Sequence, residues 1–135
     1  MKILVIGSGF IASSIAQRLE FEGHELLVYS RSVNPTLQCK QLLGDIFEFE
    51  EFSKVLNWKP KIIIHTAWIT TPGIYKDDLS NLKYSKFTSQ LAQHIHTSDI
   101  EHLIILGTCA EYGQQKGPST AGITKLSPKT LYAEQ

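Results

Sequence analysis

Short apolar runs alternate along the chain with stretches of helical period. Lys2-Ile3-Leu4-Val5-Ile6 predicts a strand. Residues 13–21 follow as a helix with Ile15, Ala16 and Leu19 on one face, and Gly23 just beyond suits a C-cap. Leu26-Leu27-Val28-Tyr29 predicts a second strand. Residues 32–40 are polar, contain Asn34-Pro35, and read as a loop or a short helix; Gln41-Leu42-Leu43 is a brief third strand. Over 48–57, Phe49, Phe52, Val55 and Leu56 give a 3.6 period and predict a helix. Residues 61–65 form the strongest strand, with Ile62-Ile63-Ile64 apolar on both faces, as a buried parallel strand is. A long helix over 79–97 and a fifth strand over 102–106 complete the pattern. Such alternation predicts an α/β fold, a doubly wound parallel sheet in three α/β/α layers, as one domain over 1–135.

The first strand runs directly into Gly7-Ser8-Gly9-Phe10-Ile11-Ala12, and a helix opens behind it. Strand, glycine loop, helix and strand together place a dinucleotide pyrophosphate on a helix N-terminus. Gly7 allows the tight turn out of the strand, and Gly9 lacks a side chain that would block the phosphates. Ala12 is small enough to let the helix lie close to the strand. Free N–H groups and the helix dipole attract the anion, so Gly7, Ser8, Gly9, Phe10 and Ile11 are cofactor-binding candidates. Ser30-Arg31 ends the second strand, where a site for NAD usually carries Asp or Glu. A hydroxyl and a guanidinium suit a 2′-phosphate, which a carboxylate would repel, so NADP is expected and NAD is the alternative.

Composition narrows the partners. Acidic and basic residues balance at 13 each and the basic ones are scattered, which argues against nucleic acid. No apolar stretch approaches a membrane span. The chain begins directly with a strand, so neither a signal nor a transit peptide is expected. Cys39 and Cys109 are far apart, in no metal-ligand spacing, and read as free thiols of a reducing cytoplasm. His94 and His96 lie two apart on a predicted helix and point to different faces, so no metal site is expected. Trp58 reads as core, whereas Trp68, just past the fourth strand, is placed to line the ligand cleft.

An ordered series of motifs resembles one family. Gly44-Asp45 follows the third strand, His65-Thr66-Ala67 ends the fourth, and Asn81 sits in the long helix. Gly107-Thr108-Cys109-Ala110-Glu111-Tyr112-Gly113 follows the fifth strand, and Leu131-Tyr132-Ala133-Glu134-Gln135 is similar to the opening of a Tyr-x-x-x-Lys motif. With the glycine loop, these resemble the N-terminal part of an extended short-chain dehydrogenase/reductase, in the NAD-dependent epimerase/dehydratase group acting on nucleotide sugars. The resemblance implies a Rossmann-like NAD(P)-binding domain, with Asp45 and Ile46 at the adenine and with Ala67 and Asn81 beside the cofactor. It also implies that Thr108 and Tyr132 are catalytic.

The resemblance implies an NADP-dependent reductase or epimerase of a nucleotide-activated sugar, transferring hydride at a sugar carbinol or ketone carbon. Tyr132 would exchange a proton with the sugar oxygen and Thr108 would orient it. The glycine loop departs from the family's Gly-x-x-Gly-x-x-Gly by one residue and ends in Ala12. The Lys four positions after Tyr132 is not in the sequence, nor is the C-terminal region that builds the sugar-nucleotide pocket. The expectation is therefore a cofactor-binding part, truncated at the C-terminus, that does not turn over substrate alone. The alternatives are a non-catalytic dinucleotide-binding module or an inactive fragment. An open sheet edge is expected to favour a homodimer.

Overall fold

The computed structural model describes residues 1–96 and 98–135. In chain order the elements are β1 (Lys2–Ile6), α1 (Phe10–Phe21), β2 (Glu25–Ser30), β3 (Lys40–Leu43), α2 (Phe49–Ser53), β4 (Ile62–His65), α3 (Ser80–Ile95), β5 (His102–Ile105) and α4 (Leu131–Glu134), with 3₁₀ turns at Lys54–Trp58 and Cys109–Tyr112. All four strand pairings are parallel, and the order is β3-β2-β1-β4-β5. The chain thus winds outward from β1 to β3, returns, and winds outward again through β4 to β5. Where the winding reverses, between β1 and β4, the strand ends leave a crevice.

Strand alternation sorts the core into two layers. Ile3, Val5, Leu26, Val28 and Ile64 face α1, which meets them through Ala12 and Ala16. Two alanines there let the helix axis sit low on the sheet and bring its N-terminus close to the end of β1. Leu4, Ile6, Leu27, Tyr29 and Ile63 face the other way, under Phe52, Tyr84, Phe87 and Leu91 from α2 and α3. Phe52 and Phe87 meet edge-on at 4.9 Å. Each such buried side chain contributes about 1.5–3 kcal/mol, so the aromatic layer anchors α2 and α3.

Several element boundaries differ from the sequence reading. The helix expected over 13–21 begins at Phe10, inside the glycine motif, because buried Ala12 already packs on the sheet. Over 48–57 a single helix was expected, but α2 ends at Ser53 and a 3₁₀ turn follows. Phe49, Phe52, Val55 and Trp58 all touch the same core layer and are spaced by three. Three residues per turn keeps the last of them aligned where 3.6 would rotate it away. The helix expected over 79–97 runs from Ser80 to Ile95, and position 97 lies outside the described residues. Of residues 32–40, expected as a loop or short helix, 32–39 form a loop with Leu37 buried, and Lys40 already opens β3.

At the other side of the sheet β5 is an edge. Ile104 and Ile105 are 47% and 43% exposed, so neither face of this strand is fully covered, and Leu106 just beyond it is 39% exposed. Among the described residues no helix is long and apolar enough to cross a membrane.

Candidate dinucleotide site

A cleft of about 480 Å³ opens at the C-terminal ends of β1, β2 and β4. Its floor is the glycine loop. Gly7 takes φ +111°, and its N–H continues the ladder to Tyr29 O at 2.9 Å. A Cβ on Gly7 would lie 2.5 Å from Thr66 Oγ1, whose hydroxyl is itself fixed by donating to Ile6 O. Gly9 differs: its backbone is extended (φ −73°, ψ −172°), and a Cβ there would meet no protein atom within 4 Å. The protein therefore does not require glycine at position 9 for its own packing. The space beside Gly9 is cleft.

Gly9 is the N-cap of α1, with no side chain capping the helix and no acidic residue in its first turn. The first-turn N–H groups have no intrahelical acceptor, and the dipole adds partial positive charge at the same place. The neighbouring carbonyls, which would repel an anion, are tied back. Asn34 Nδ2 donates to Ser8 O at 2.9 Å and to Ser13 Oγ at 2.8 Å, while Ser13 Oγ donates to Gly9 O at 2.8 Å. Asn34 is held in turn by Gln41 through its own N–H and carbonyl. This clamp joins the glycine loop to the loop after β2 across 26 residues of sequence. Sequence reasoning missed Asn34, because its partners are distant along the chain.

Of the expected cofactor-binding residues, Gly7, Ser8, Gly9, Phe10, Ile11, Ser30, Arg31, Asp45, Ile46 and Ala67 all line this one cleft. Ser30 is buried, and its hydroxyl donates to Ser32 O at 2.7 Å, so it faces a ligand as an acceptor. Arg31 is exposed and makes no hydrogen bond or ion pair among the described residues. Asp45 is exposed and turns one carboxylate oxygen to Phe47 N at 2.9 Å, leaving the other to the cleft. Ile46 is buried against the aromatic core and closes that end.

Asn81 stands apart. It is fully buried, accepts from the Trp68 indole N–H at 2.7 Å, and donates to Tyr75 O and Asp78 O. Both amide hydrogens are spent, so Asn81 acts on the cleft by holding Trp68, which lines it. Trp58 packs against the core as expected, with Lys2 Nζ over its ring.

Thr108 and Tyr132 lie outside the cleft lining. Thr108 caps the 3₁₀ turn Cys109–Tyr112, accepting from Ala110 N at 3.2 Å, which leaves its own hydroxyl hydrogen free to donate. Tyr132 sits in α4, where its N–H donates to Lys76 O at 2.8 Å and its ring meets Tyr75 edge-on. α4 packs against the turn that Thr108 caps, so the two elements neighbour each other beyond β5.

Below the cleft, His65 ends β4 and is 98% buried by its 2% exposure. Its Nε2 lies 3.1 Å from Thr88 Oγ1, and Thr88 donates its only hydroxyl hydrogen to Tyr84 O. Thr88 must therefore accept from His65, which assigns the proton to Nε2 and leaves Nδ1 as a lone pair without a partner among the described residues. Burial pushes the imidazole down to about 4, so His65 is neutral at pH 7.

Comparison with known proteins agrees with this arrangement. The family model of the NAD dependent epimerase/dehydratase family matches residues 3–135. Among solved structures, a UDP-glucose 4-epimerase superposes with TM-score 0.84 at 20% identity, over 99% of this chain and 44% of that one. The UDP-glucose 4-epimerase of Brucella ovis in complex with NAD gives 0.81 at 21%, over 98% and 43%. The ADP-L-glycero-D-manno-heptose-6-epimerase of Helicobacter pylori gives 0.84 at 16%, over 98% and 47%. At such identities the likeness is one of fold, and the chain spans a little under half the length of these structures. No curated protein matches the chain.

Proposed function

The chain belongs to the NAD dependent epimerase/dehydratase family, and from that premise we propose that it is the dinucleotide-binding part of an NADP-dependent reductase or epimerase of a nucleotide-activated sugar. The observation that carries the reading is the N-terminus of α1, without a side-chain cap, opening on a glycine loop whose Ser8 and Gly9 carbonyls are tied back. A pyrophosphate fits that cradle by charge and by space. Arg31, unpaired among the described residues just past β2, favours a ribose 2′-phosphate, and no carboxylate stands at Ser30 or Arg31 to oppose it; the Ser30 hydroxyl, expected to share that role, gives its hydrogen to Ser32 O instead, which leaves the 2′-phosphate to Arg31.

Ile46 and Asp45 would bound the adenine, the first-turn N–H groups of α1 would take the phosphates, and Ala67 would leave room for the second ribose. When bound, the nicotinamide supplies the hydride chemistry. Thr108 would hold the sugar oxygen through its free hydroxyl hydrogen, and Tyr132 would exchange a proton with it. The experiment is a calorimetric titration with NADPH and, in parallel, NADH. Saturable binding with NADPH clearly tighter is expected; equal affinity would remove NADP from the reading, and no binding of either would remove the dinucleotide. A hydride-transfer assay with nucleotide sugars then separates an enzyme from a binding module.

A further inference from the structure

Two aromatic rings stand in the wall of the cleft where phosphate recognition has no use for them. Trp68 and Tyr84 are stacked at 5.2 Å with 25° between their planes, and Phe47 meets the Tyr84 ring edge-on at 4.9 Å. Both stacked rings line the same cleft as the glycine loop and Arg31. Their positions are locked. The Trp68 indole is tied to Asn81, whose amide is anchored to two carbonyls, and Tyr84 lies on the buried face of α3.

The Tyr84 residue is only 5% exposed, yet its hydroxyl makes no hydrogen bond among the described residues and is not among the sealed, unsatisfied polar atoms. A buried tyrosine ordinarily finds a partner for its hydroxyl. Packing alone would be served as well by phenylalanine. The cleft is the outlet left to this group, and Arg31, Asp45 and Ile46 line that same cleft. Phe47, whose ring meets Tyr84 and whose N–H is held by Asp45, joins Tyr84 to the residues assigned to adenosine.

We propose that Tyr84, braced by Trp68, is a recognition residue for the adenosine half of the ligand, its hydroxyl hydrogen-bonding the ribose or its 2′-phosphate beside Arg31. The stacked pair supplies a rigid aromatic wall for the nucleotide, and the hydroxyl adds a neutral donor next to a guanidinium. Rigid support of this kind avoids ordering cost on binding. The inference rests on the dinucleotide reading of the cleft.

The test compares the whole chain with its Tyr84→Phe and Trp68→Leu variants, titrated calorimetrically with NADPH, 2′,5′-ADP and 5′-AMP. Tyr84→Phe is expected to weaken NADPH and 2′,5′-ADP about 3- to 10-fold, the loss of one hydrogen bond, with an unchanged melting temperature. A smaller loss for 5′-AMP would make the 2′-phosphate the partner; an equal loss would make it the ribose, and either supports the proposal. In a Trp58→Phe background, Trp68 emission should change on adding 2′,5′-ADP. If Tyr84→Phe binds all three nucleotides as the parent does, the proposal fails while the parent's own NADPH binding keeps the dinucleotide reading intact. A parent chain that binds none of them overturns both.

Discussion

The two glycines of the loop should fail in different ways when each becomes alanine. At Gly9 the backbone is already in a region alanine favours, and the new Cβ meets no protein atom within 4 Å. Alanine is a poorer N-cap than glycine by about 1 kcal/mol, but it also loses less unfolded-chain entropy, worth about 0.4–1 kcal/mol. The terms nearly cancel, so Gly9→Ala should fold within about 1 kcal/mol of the parent. The methyl group, however, enters the space beside the α1 N-terminus. Losing one N–H···phosphate bond there costs about 1.5–3 kcal/mol, or roughly 10- to 150-fold in affinity. Gly7→Ala reverses the balance. Its φ of +111° is strained for alanine, and the Cβ would lie 2.5 Å from Thr66 Oγ1 and 3.2 Å from Ala67 N. Relief requires Thr66 to leave Ile6 O and the backbone after β4 to shift, for a combined cost of about 2–4 kcal/mol. Urea unfolding reads the first quantity and NADPH titration the second. A Gly9→Ala chain that folds normally and binds NADPH within about threefold of the parent would show that no phosphate sits against α1.

Three further outcomes are expected. His65 is held at about 4 against an ordinary 6.5, so the unfolded chain takes up a proton that the folded chain refuses. Its contribution to stability is present above pH 6.5 and is lost as pH falls through about 4, to a limit of about 3 kcal/mol; urea midpoints at pH 7 and pH 4.5 should differ in the parent and differ less in His65→Leu. Arg31→Ala should weaken NADPH by about tenfold or more and leave NADH unchanged, measured by parallel titrations; equal loss for both would place Arg31 away from a 2′-phosphate. The open edge at β5, with Ile104 and Ile105 exposed, should drive self-association. Sedimentation should show dimers or larger species that Ile105→Lys dissociates, and a clean monomer in the parent would refute this.

What the sequence made legible is what lies close together along the chain. β1, the glycine loop, α1 and β2 form a continuous stretch, and each strand announced itself by an apolar run. The start of α1 was read three residues late because glycine and an exposed Phe10 carry weak helical signal, while Ala12 is helical through its contact with the sheet. In the stretch from Phe49 to Trp58 the spacing of three was present but was read as 3.6, since Leu56 fits the longer period too. Asn34 bonds Ser8 and Ser13 across 26 and 21 residues, a relation no local pattern carries.

The aromatic wall shows the same limit in its sharpest form. Asn81, Tyr84, Phe87 and Leu91 repeat at helical spacing and identify the buried face of α3. Periodicity assigns all four to the core equally and does not separate a side chain that ends inside it from one whose polar tip reaches an opening. Asn81, expected beside the cofactor, spends its amide on Trp68 and two carbonyls, while Tyr84, one turn further on, lines the cleft with a hydroxyl that bonds none of the described residues. The difference is set by where α3 crosses the end of β4, because only that crossing decides which turn of the helix faces the crevice. Asn81→Ala tests whether Asn81 meets the cofactor directly or acts through Trp68. It should lower the melting temperature and alter Trp68 emission, and it should weaken NADPH no more than Trp68→Leu does; a larger loss would restore Asn81 as a direct ligand.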